Sequence, residues 1–358
     1  MSSIIYYITG HGYGHAVRSS QVIRSLRQAR PDLPIHARTT APAWLFGDAV
    51  FHHPQSIDIG VRQQDSLTMG LAETLEACRS LHENFPKLME QELAFIKKER
   101  VELVIGDIPP LCFEIAARAL IPSLAITNFT WDFIYQSYVR EYPGFIRLID
   151  ETKKCYGKAT LALTLPYPCG MEVFPRREPI PWISRVSALT KAQARARFNL
   201  PESVPIILWS FGGLGLERLP WEQFQRLREY FFVTTEKIET LNGNLLVLPP
   251  AQRQYQDLVR AADVVVTKPG YGIVADAIAH QLPMLYTDRG EFPEYPRLVE
   301  ALHDCATAEY IPQNELLAGN LAPYLKRLLE KPRNWPELPL NGAQVAAEKI
   351  LRLLNHVV

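Results

Sequence analysis

Residues 4–16 read Ile4-Ile5-Tyr6-Tyr7-Ile8-Thr9-Gly10-His11-Gly12-Tyr13-Gly14-His15-Ala16. Five consecutive β-branched or aromatic residues, apolar at odd and even positions alike, describe a strand buried on both faces. Three glycines then make a turn, and over residues 16–28 Val22, Ile23 and Leu26 recur at helical spacing. Strand, glycine turn and helix open a βαβ unit, in which backbone amides at the positive end of the helix can meet an anion. The run is not a dinucleotide fingerprint. His15 stands where the third glycine would be, and no acidic residue ends the second strand near Arg38-Thr39.

The same alternation continues outward. Strand-like runs at 35–39, 103–106, 123–127 and 160–165 flank a helical stretch at 71–98, broken at Pro86, and another beginning near Asp132. Further on, strands at 206–210, 231–235, 245–248, 264–267 and 284–287 alternate with helices at 221–229, 254–261 and 273–280. Strands apolar on both faces, separated by helices, predict parallel sheets covered on both sides. Pro166, Pro168, Pro175, Pro179 and Pro181 are too dense for an element interior and read as a stiff linker. The predicted class is α/β, with two Rossmann-like doubly wound domains at 1–168 and 183–340, a Pro-rich linker at 169–182 and a C-terminal helix at 341–358. In that helix Asn341 is the N-cap, and Val345, Ile350, Leu353 and Leu354 share one face. Its pattern does not say against what it lies.

A length of 358 residues suits two domains, and 47% hydrophobic against 21% charged residues excludes a disordered or fibrous chain. Lys+Arg and Asp+Glu number 38 each and are spread over both halves, so neither carries the positive field of a nucleic-acid binder. Cys78, Cys112, Cys155, Cys169 and Cys305 lie far apart with no CxxC, which excludes a disulfide framework or zinc site from sequence. With no basic leader and no apolar run approaching ~18 residues, a soluble cytoplasmic protein without a transmembrane segment is expected.

Chemistry concentrates at the glycine turns. The dipole at a helix N-terminus favours the neutral form of His15, and a neutral imidazole at a ligand-facing turn can act as a general base. Asp107 follows the strand at 103–106, where a carboxylate could hold the imidazole tautomer; a turn aspartate is its plainer reading. A second turn, Lys268-Pro269-Gly270-Tyr271-Gly272-Ile273, follows the strand at 264–267. Amides of Gly270, Tyr271, Gly272 and Ile273 would meet a phosphate there, and Lys268 would add a point charge. Asp276 lies one helical turn further, within reach of sugar hydroxyls. A third glycine loop, containing Gly212 and Gly213, follows the strand at 206–210.

Four segments carry a resemblance. They are Tyr7-Ile8-Thr9-Gly10-His11-Gly12-Tyr13-Gly14-His15-Ala16, Thr127-Asn128-Phe129-Thr130-Trp131-Asp132-Phe133-Ile134-Tyr135, Gly270-Tyr271-Gly272-Ile273-Val274-Ala275-Asp276-Ala277 and Leu340-Asn341-Gly342-Ala343-Gln344-Val345-Ala346-Ala347. Together they make the chain similar to GT-B glycosyltransferases, and in particular to the glycosyltransferase-like N-terminal region of plant-type L-arabinokinases. The sugar-kinase half of those proteins has no counterpart in this sequence, so kinase activity is not expected of it.

The resemblance implies two Rossmann-like domains facing across a cleft, with an acceptor on the first and a nucleotide sugar on the second. His15 and Asp107 match the base and its orienting carboxylate in inverting members. Gly12, Gly14, Asn128, Trp131 and Asp132 fall on the acceptor side, although an aromatic cluster opening a helix also reads as core. Asp276 stands where the ribose is usually held, Lys268 where a histidine is common, and Glu291 where the donor sugar is gripped. The usual acidic-then-glutamine pair is unmatched.

No Asp-x-Asp occurs, the spacing by which other transferase folds hold a metal on a diphosphate. The expectation is therefore an inverting, metal-independent transferase with no cofactor beyond its nucleotide-sugar co-substrate. UDP is expected because uridine is common in the family. The acceptor, whether small molecule, lipid-linked or protein, is not legible, and neither is the oligomeric state. Two other readings fit the same residues: a non-catalytic sugar or nucleotide-sugar binding module, and a nucleotide-sugar epimerase.

Overall fold

The computed structural model describes residues 2–63, 67–212, 221–236, 243–249 and 254–355. Gly213, expected in the donor site, lies outside the described residues. The chain divides into two compact units: Met1–Arg62 with Met69–Ile183 and Pro339–Val358, and Gln63–Thr68 with Ser184–Leu338.

The first unit runs β1 (Ser3–Ile8), α1 (Gly14–Ala29), β2 (Ile35–Arg38), β3 (Phe51–His53), α2 (Leu71–Glu83), α3 (Phe85–Glu99), β4 (Val101–Asp107), α4 (Leu111–Ala119), β5 (Ser123–Thr127), α5 (Trp131–Gln136), α6 (Phe145–Tyr156), β6 (Leu161–Thr164) and β7 (Arg177–Pro179). Its strands form one sheet in the order β3-β2-β1-β4-β5-β6-β7, every neighbouring pair parallel. β1 and β4 are buried along nearly their whole length, as two-sided apolar strands in a helix-covered sheet must be. The core on one face gathers Ile5, Tyr7, Val104, Phe113, Tyr156 and Phe174. Pro86 falls in the first turn of α3, where a missing N–H costs nothing, so the expected break becomes a clean helix start.

The second unit runs α7 (Lys191–Arg197), β8 (Ile206–Trp209), α8 (Trp221–Arg226), β9 (Phe231–Thr234), β10 (Leu245–Val247), α9 (Tyr255–Ala261), β11 (Val264–Thr267), α10 (Tyr271–His280), β12 (Met284–Tyr286), α11 (Tyr295–Cys305), β13 (Ala308–Tyr310), α12 (Gln313–Ala318) and α13 (Ala322–Glu330). Its parallel sheet has the order β10-β9-β8-β11-β12-β13. Trp209, Phe211, Phe224 and Phe232 lead the core cluster on one side.

Two expectations are corrected. The proline-rich segment is not a free linker: β7 lies within it and adds to β6 at the sheet edge, a position that tolerates Pro179 because an edge strand need not donate on both sides. The first unit therefore extends to Ile183 rather than ending at residue 168. The C-terminal helix, α14 (Gly342–Asn355), belongs to the first unit and packs along α1. Its start is wedged in place: a Cβ on Gly342 would lie 2.1 Å from the Pro181 carbonyl oxygen.

Candidate active site

In an open parallel sheet, ligands gather beyond the carboxyl ends of the strands where the strand order reverses. That reversal falls between β1 and β4 in the first unit and between β8 and β11 in the second. Each is flanked by one of the glycine turns singled out from sequence.

In the first unit Ile8 pairs with Asp107, and the Thr9 amide donates to the Asp107 carbonyl at 2.8 Å. This register brings the start of α1 beside the end of β4. His15, the second residue of α1, places Nδ1 2.7 Å from Asp107 Oδ1. The two residues expected to cooperate are therefore in direct contact and buried, His15 at 6% exposure and Asp107 at 0%.

A third group, not singled out from sequence, completes the cluster. Arg18 lies three residues along α1 and so on the same face. Its Nε donates to Asp107 Oδ2 at 2.7 Å, Nη2 to Oδ1 at 2.5 Å, and Nη1 to Asn128 Oδ1 at 2.7 Å. Ser19 Oγ adds a bond to Oδ2 at 2.9 Å. Burial alone would raise the Asp107 carboxyl, but the Arg18 charge, then His15, overrides it and holds the group down at about 2. Asp107 is thus a fully solvated-by-protein carboxylate rather than a turn aspartate.

The glycines here divide by cause. Gly12 has φ +70°, a left-handed conformation that glycine adopts at little cost. Gly14 has ordinary φ and nothing within 4 Å of a built Cβ, so the fold itself does not demand glycine there. A group bound against the backbone would.

Aromatic rings wall the cluster. Phe129 meets the His15 ring edge-on at 5.4 Å, and Trp131 lies at 6.5 Å from it and 5.3 Å from His11. Trp131 is wholly buried, and its Nε1 donates to Asp58 Oδ2 at 3.0 Å. Burial pushes the Asp58 carboxyl up to about 6 despite bonds from Thr9 and Trp131. Asp58 and Trp131 also line a largely apolar cavity of about 60 Å³ with Leu81, Phe85, Leu111 and Leu148. Asp132, placed on the acceptor side from sequence, is the next residue after Trp131. It sits in the first turn of α5, 5% exposed, where burial raises its carboxyl and the Thr130 hydroxyl and the first amides of the helix oppose that rise.

In the second unit the Ser210 amide bonds to the Val266 carbonyl at 3.0 Å, and Thr267 Oγ1 donates to the Ser210 carbonyl at 2.5 Å. This brings the Gly212 and Gly270 turns to neighbouring strand ends. Gly270 is the N-cap of α10, Gly212 has a left-handed φ of +81°, and among the described residues neither has an atom within 4 Å of a built Cβ. Lys268 is half-buried beside the turn, Tyr271 is buried, and Gly272 and Ile273 are half-buried in the first turn of the helix. Glu291 is exposed, in the loop after β12, the strand next to β11.

Asp276 is the clearest correction at this site. It is 1% exposed, and Arg185 occupies both its oxygens: the Arg185 amide reaches Oδ1 at 2.8 Å, and its Nε and Nη2 reach Oδ2 at 2.8 and 2.5 Å. The Arg185 guanidinium also lies 4.4 Å over the Tyr255 ring. A carboxylate so engaged is not open to a ribose in this structure.

Residues 2–144 match the family model described as glycosyl transferase family 1. The chain is 29% identical over 356 residues to the L-arabinokinase of Arabidopsis thaliana, covering 96% of this chain and 33% of that protein. It thus spans about one third of the length of this curated relative. Among solved structures it is similar to the glycotransferase of kitacinnamycin, with TM-score 0.63 and 16% identity over 99% of this chain and 95% of the other. It also resembles Phytolacca americana UGT2, solved with UDP-2-fluoro-glucose and pterostilbene, with TM-score 0.60 and 12% identity over 100% and 95% of the two chains. The fold is that of the GT-B glycosyltransferase structures, and within it residues 2–144 match a glycosyl transferase family 1 model. The chain is also similar, along nearly its whole length, to a third of the L-arabinokinase chain.

Proposed function

We propose that this chain transfers a sugar from a nucleoside diphosphate sugar to a hydroxyl-bearing acceptor with inversion at the anomeric carbon. The observation that carries the reading is the 2.7 Å contact of His15 Nδ1 with the ionised Asp107 at the strand-order reversal of the first unit. With Nδ1–H held by Asp107, His15 has its lone pair on Nε2 and serves as general base. The acceptor proton passes to Nε2, and the oxygen forms a bond to the anomeric carbon. The bond from that carbon to the phosphate oxygen breaks, and its electron pair leaves on the diphosphate.

The second unit holds the donor. Amides of Gly270, Tyr271, Gly272 and Ile273 at the start of α10, with Lys268, stabilise the departing charge without a resident metal ion. The open space at Gly212 and Gly270 supports a phosphate against the backbone. UDP is the nucleotide first to be tested, because the UGT2 structure carries a UDP sugar.

Purified protein, a panel of UDP-, dTDP- and GDP-sugars and a mixed acceptor library test this directly. The reading expects glycosidic product of inverted configuration, lost with His15→Ala while nucleotide binding persists. Unchanged turnover in His15→Ala removes the assigned base.

The likeness to a third of a longer L-arabinokinase chain favours a second reading, a module that binds a nucleotide sugar without turnover. It predicts saturable binding and no product with any acceptor.

A further inference from the structure

The Arg18 guanidinium changes what the His15–Asp107 pair can do. Its Nη2 lies 2.9 Å from His15 Nδ1 as well as 2.5 Å from Asp107 Oδ1 and 3.3 Å from Thr127 Oγ1. Two tautomers compete: Nδ1 either donates to Asp107 or accepts from Arg18. Hydrogen accounting decides between them. The two Nη2 hydrogens have acceptors in Asp107 Oδ1 and Thr127 Oγ1, and Thr127 keeps a lone pair because its own hydroxyl donates to the Phe129 carbonyl at 2.8 Å. A lone pair on Nδ1 would face the carboxylate oxygen at 2.7 Å, which is repulsive. The proton therefore sits on Nδ1.

Charge accounting follows. Asp107 and Arg18 cancel while His15 is neutral. Protonating His15 would leave two cations and one anion in a cluster whose members are at least nine-tenths buried. In a bare His–Asp pair the same protonation would restore neutrality. The other groups around His15 do not reverse this. Ser19 from α1 and Thr127, Asn128, Phe129 and Trp131 from β5 and its following turn are uncharged. His11 from the glycine turn accepts from the Val61 amide at 3.4 Å, and Asp58 from the loop after β3, bonded by the Trp131 indole and pushed up to about 6 by burial, adds no charge in the acid range.

The geometry points to Arg18 as a positioning residue that anchors the carboxylate holding the Nδ1–H tautomer of His15 and keeps the imidazole neutral into the acid range, so that the base works at lower pH than a His–Asp pair alone. This rests on the assignment of His15 as base, yet its first readout does not involve turnover.

The test is an NMR titration of the full chain labelled at histidine nitrogens, with His15→Gln identifying the resonance. Wild-type His15 is expected to titrate at least one pH unit below about 6.5 and to show the Nδ1–H pattern when neutral. Arg18→Gln is expected to move that titration upward by more than one unit, and the acid limb of kcat/KM with it. Arg18→Lys, which keeps the charge but loses the fork to Asn128, is expected to retain the low titration. If Arg18→Gln does not fold, the double variant Arg18→Gln/Asp107→Asn removes both charges, and its His15 is expected near 6.5. A wild-type titration at or above 6.5, or one unmoved by Arg18→Gln despite lost activity, overturns the inference. A titration that moves while the rate profile stays fixed upholds Arg18 and instead defeats His15 as base.

Discussion

At the scale of single residues, the two buried aspartates respond to pH in opposite senses. Asp107 is held near 2 against an ordinary 3.8, so it contributes stability that is complete above about pH 4 and is lost as pH falls towards 2. Asp58 is pushed up to about 6, so its neutral form is the favoured one. Stability linked to it is complete below about pH 4 and declines as pH rises through 6. Asp58→Asn keeps an acceptor for the Trp131 indole and removes the ionisation. Relative to wild type it should gain little below pH 4 and on the order of 2–3 kcal/mol by pH 7, measured by urea unfolding across that range. A difference that stays flat with pH would show that the carboxyl is not desolvated. For His15→Ala, loss of a general base should lower kcat by about 10²–10⁴-fold with the nucleotide dissociation constant unchanged. His15 and Asp107 were legible because each stands alone at the end of a readable strand or turn. Arg18 was not, because an arginine three residues along an amphipathic helix ordinarily marks its solvated face. Asp58 was not, because the loop around it has no period. Asp276 was read as a ribose contact, and its engagement was not legible because its partner Arg185 is 91 residues away and leaves no local signature.

At the scale of elements, the glycines separate structural from functional constraint. Gly342→Ala would drive a Cβ to 2.1 Å from the Pro181 carbonyl and 2.8 Å from that of Trp182, backbone atoms that cannot yield cheaply. It should destabilise by more than about 2 kcal/mol, despite alanine's better helix propensity. Gly14→Ala meets no atom within 4 Å and has ordinary φ, so the melting temperature should hold or rise slightly while turnover falls. A variant of Gly14 as active as wild type would refute ligand approach at that turn. The long two-sided strands β1, β4, β5, β8 and β11 were readable from composition. β3, β7 and β13 were not, since each is an edge strand whose residues (Phe-His-His, Arg-Glu-Pro, Ala-Glu-Tyr) make no apolar run. The prolines misled for a definite reason. They forbid an interior strand, and β7 is an edge.

At the scale of the whole molecule, donor binding should appear as stabilisation. A nucleoside diphosphate at a hundred times its dissociation constant adds about 2.7 kcal/mol, readable as a thermal shift. Lys268→Ala and Gly270→Ala should lose that shift without lowering the unliganded melting temperature by more than a few degrees. Turnover should also survive EDTA, and its abolition would transfer the stabilisation of the leaving group to a metal. Among the described residues no helix is long and apolar enough to cross a membrane. The return of α14 to α1 also has a temporal side. During synthesis the helix that covers α1 is translated more than three hundred residues after it. In between, the ribosome delivers the whole of the second unit's main segment, 184–338. Between those two events the nascent chain carries an uncovered flank on α1, a surface on which a holdase chaperone would dwell and from which the closing helix would displace it.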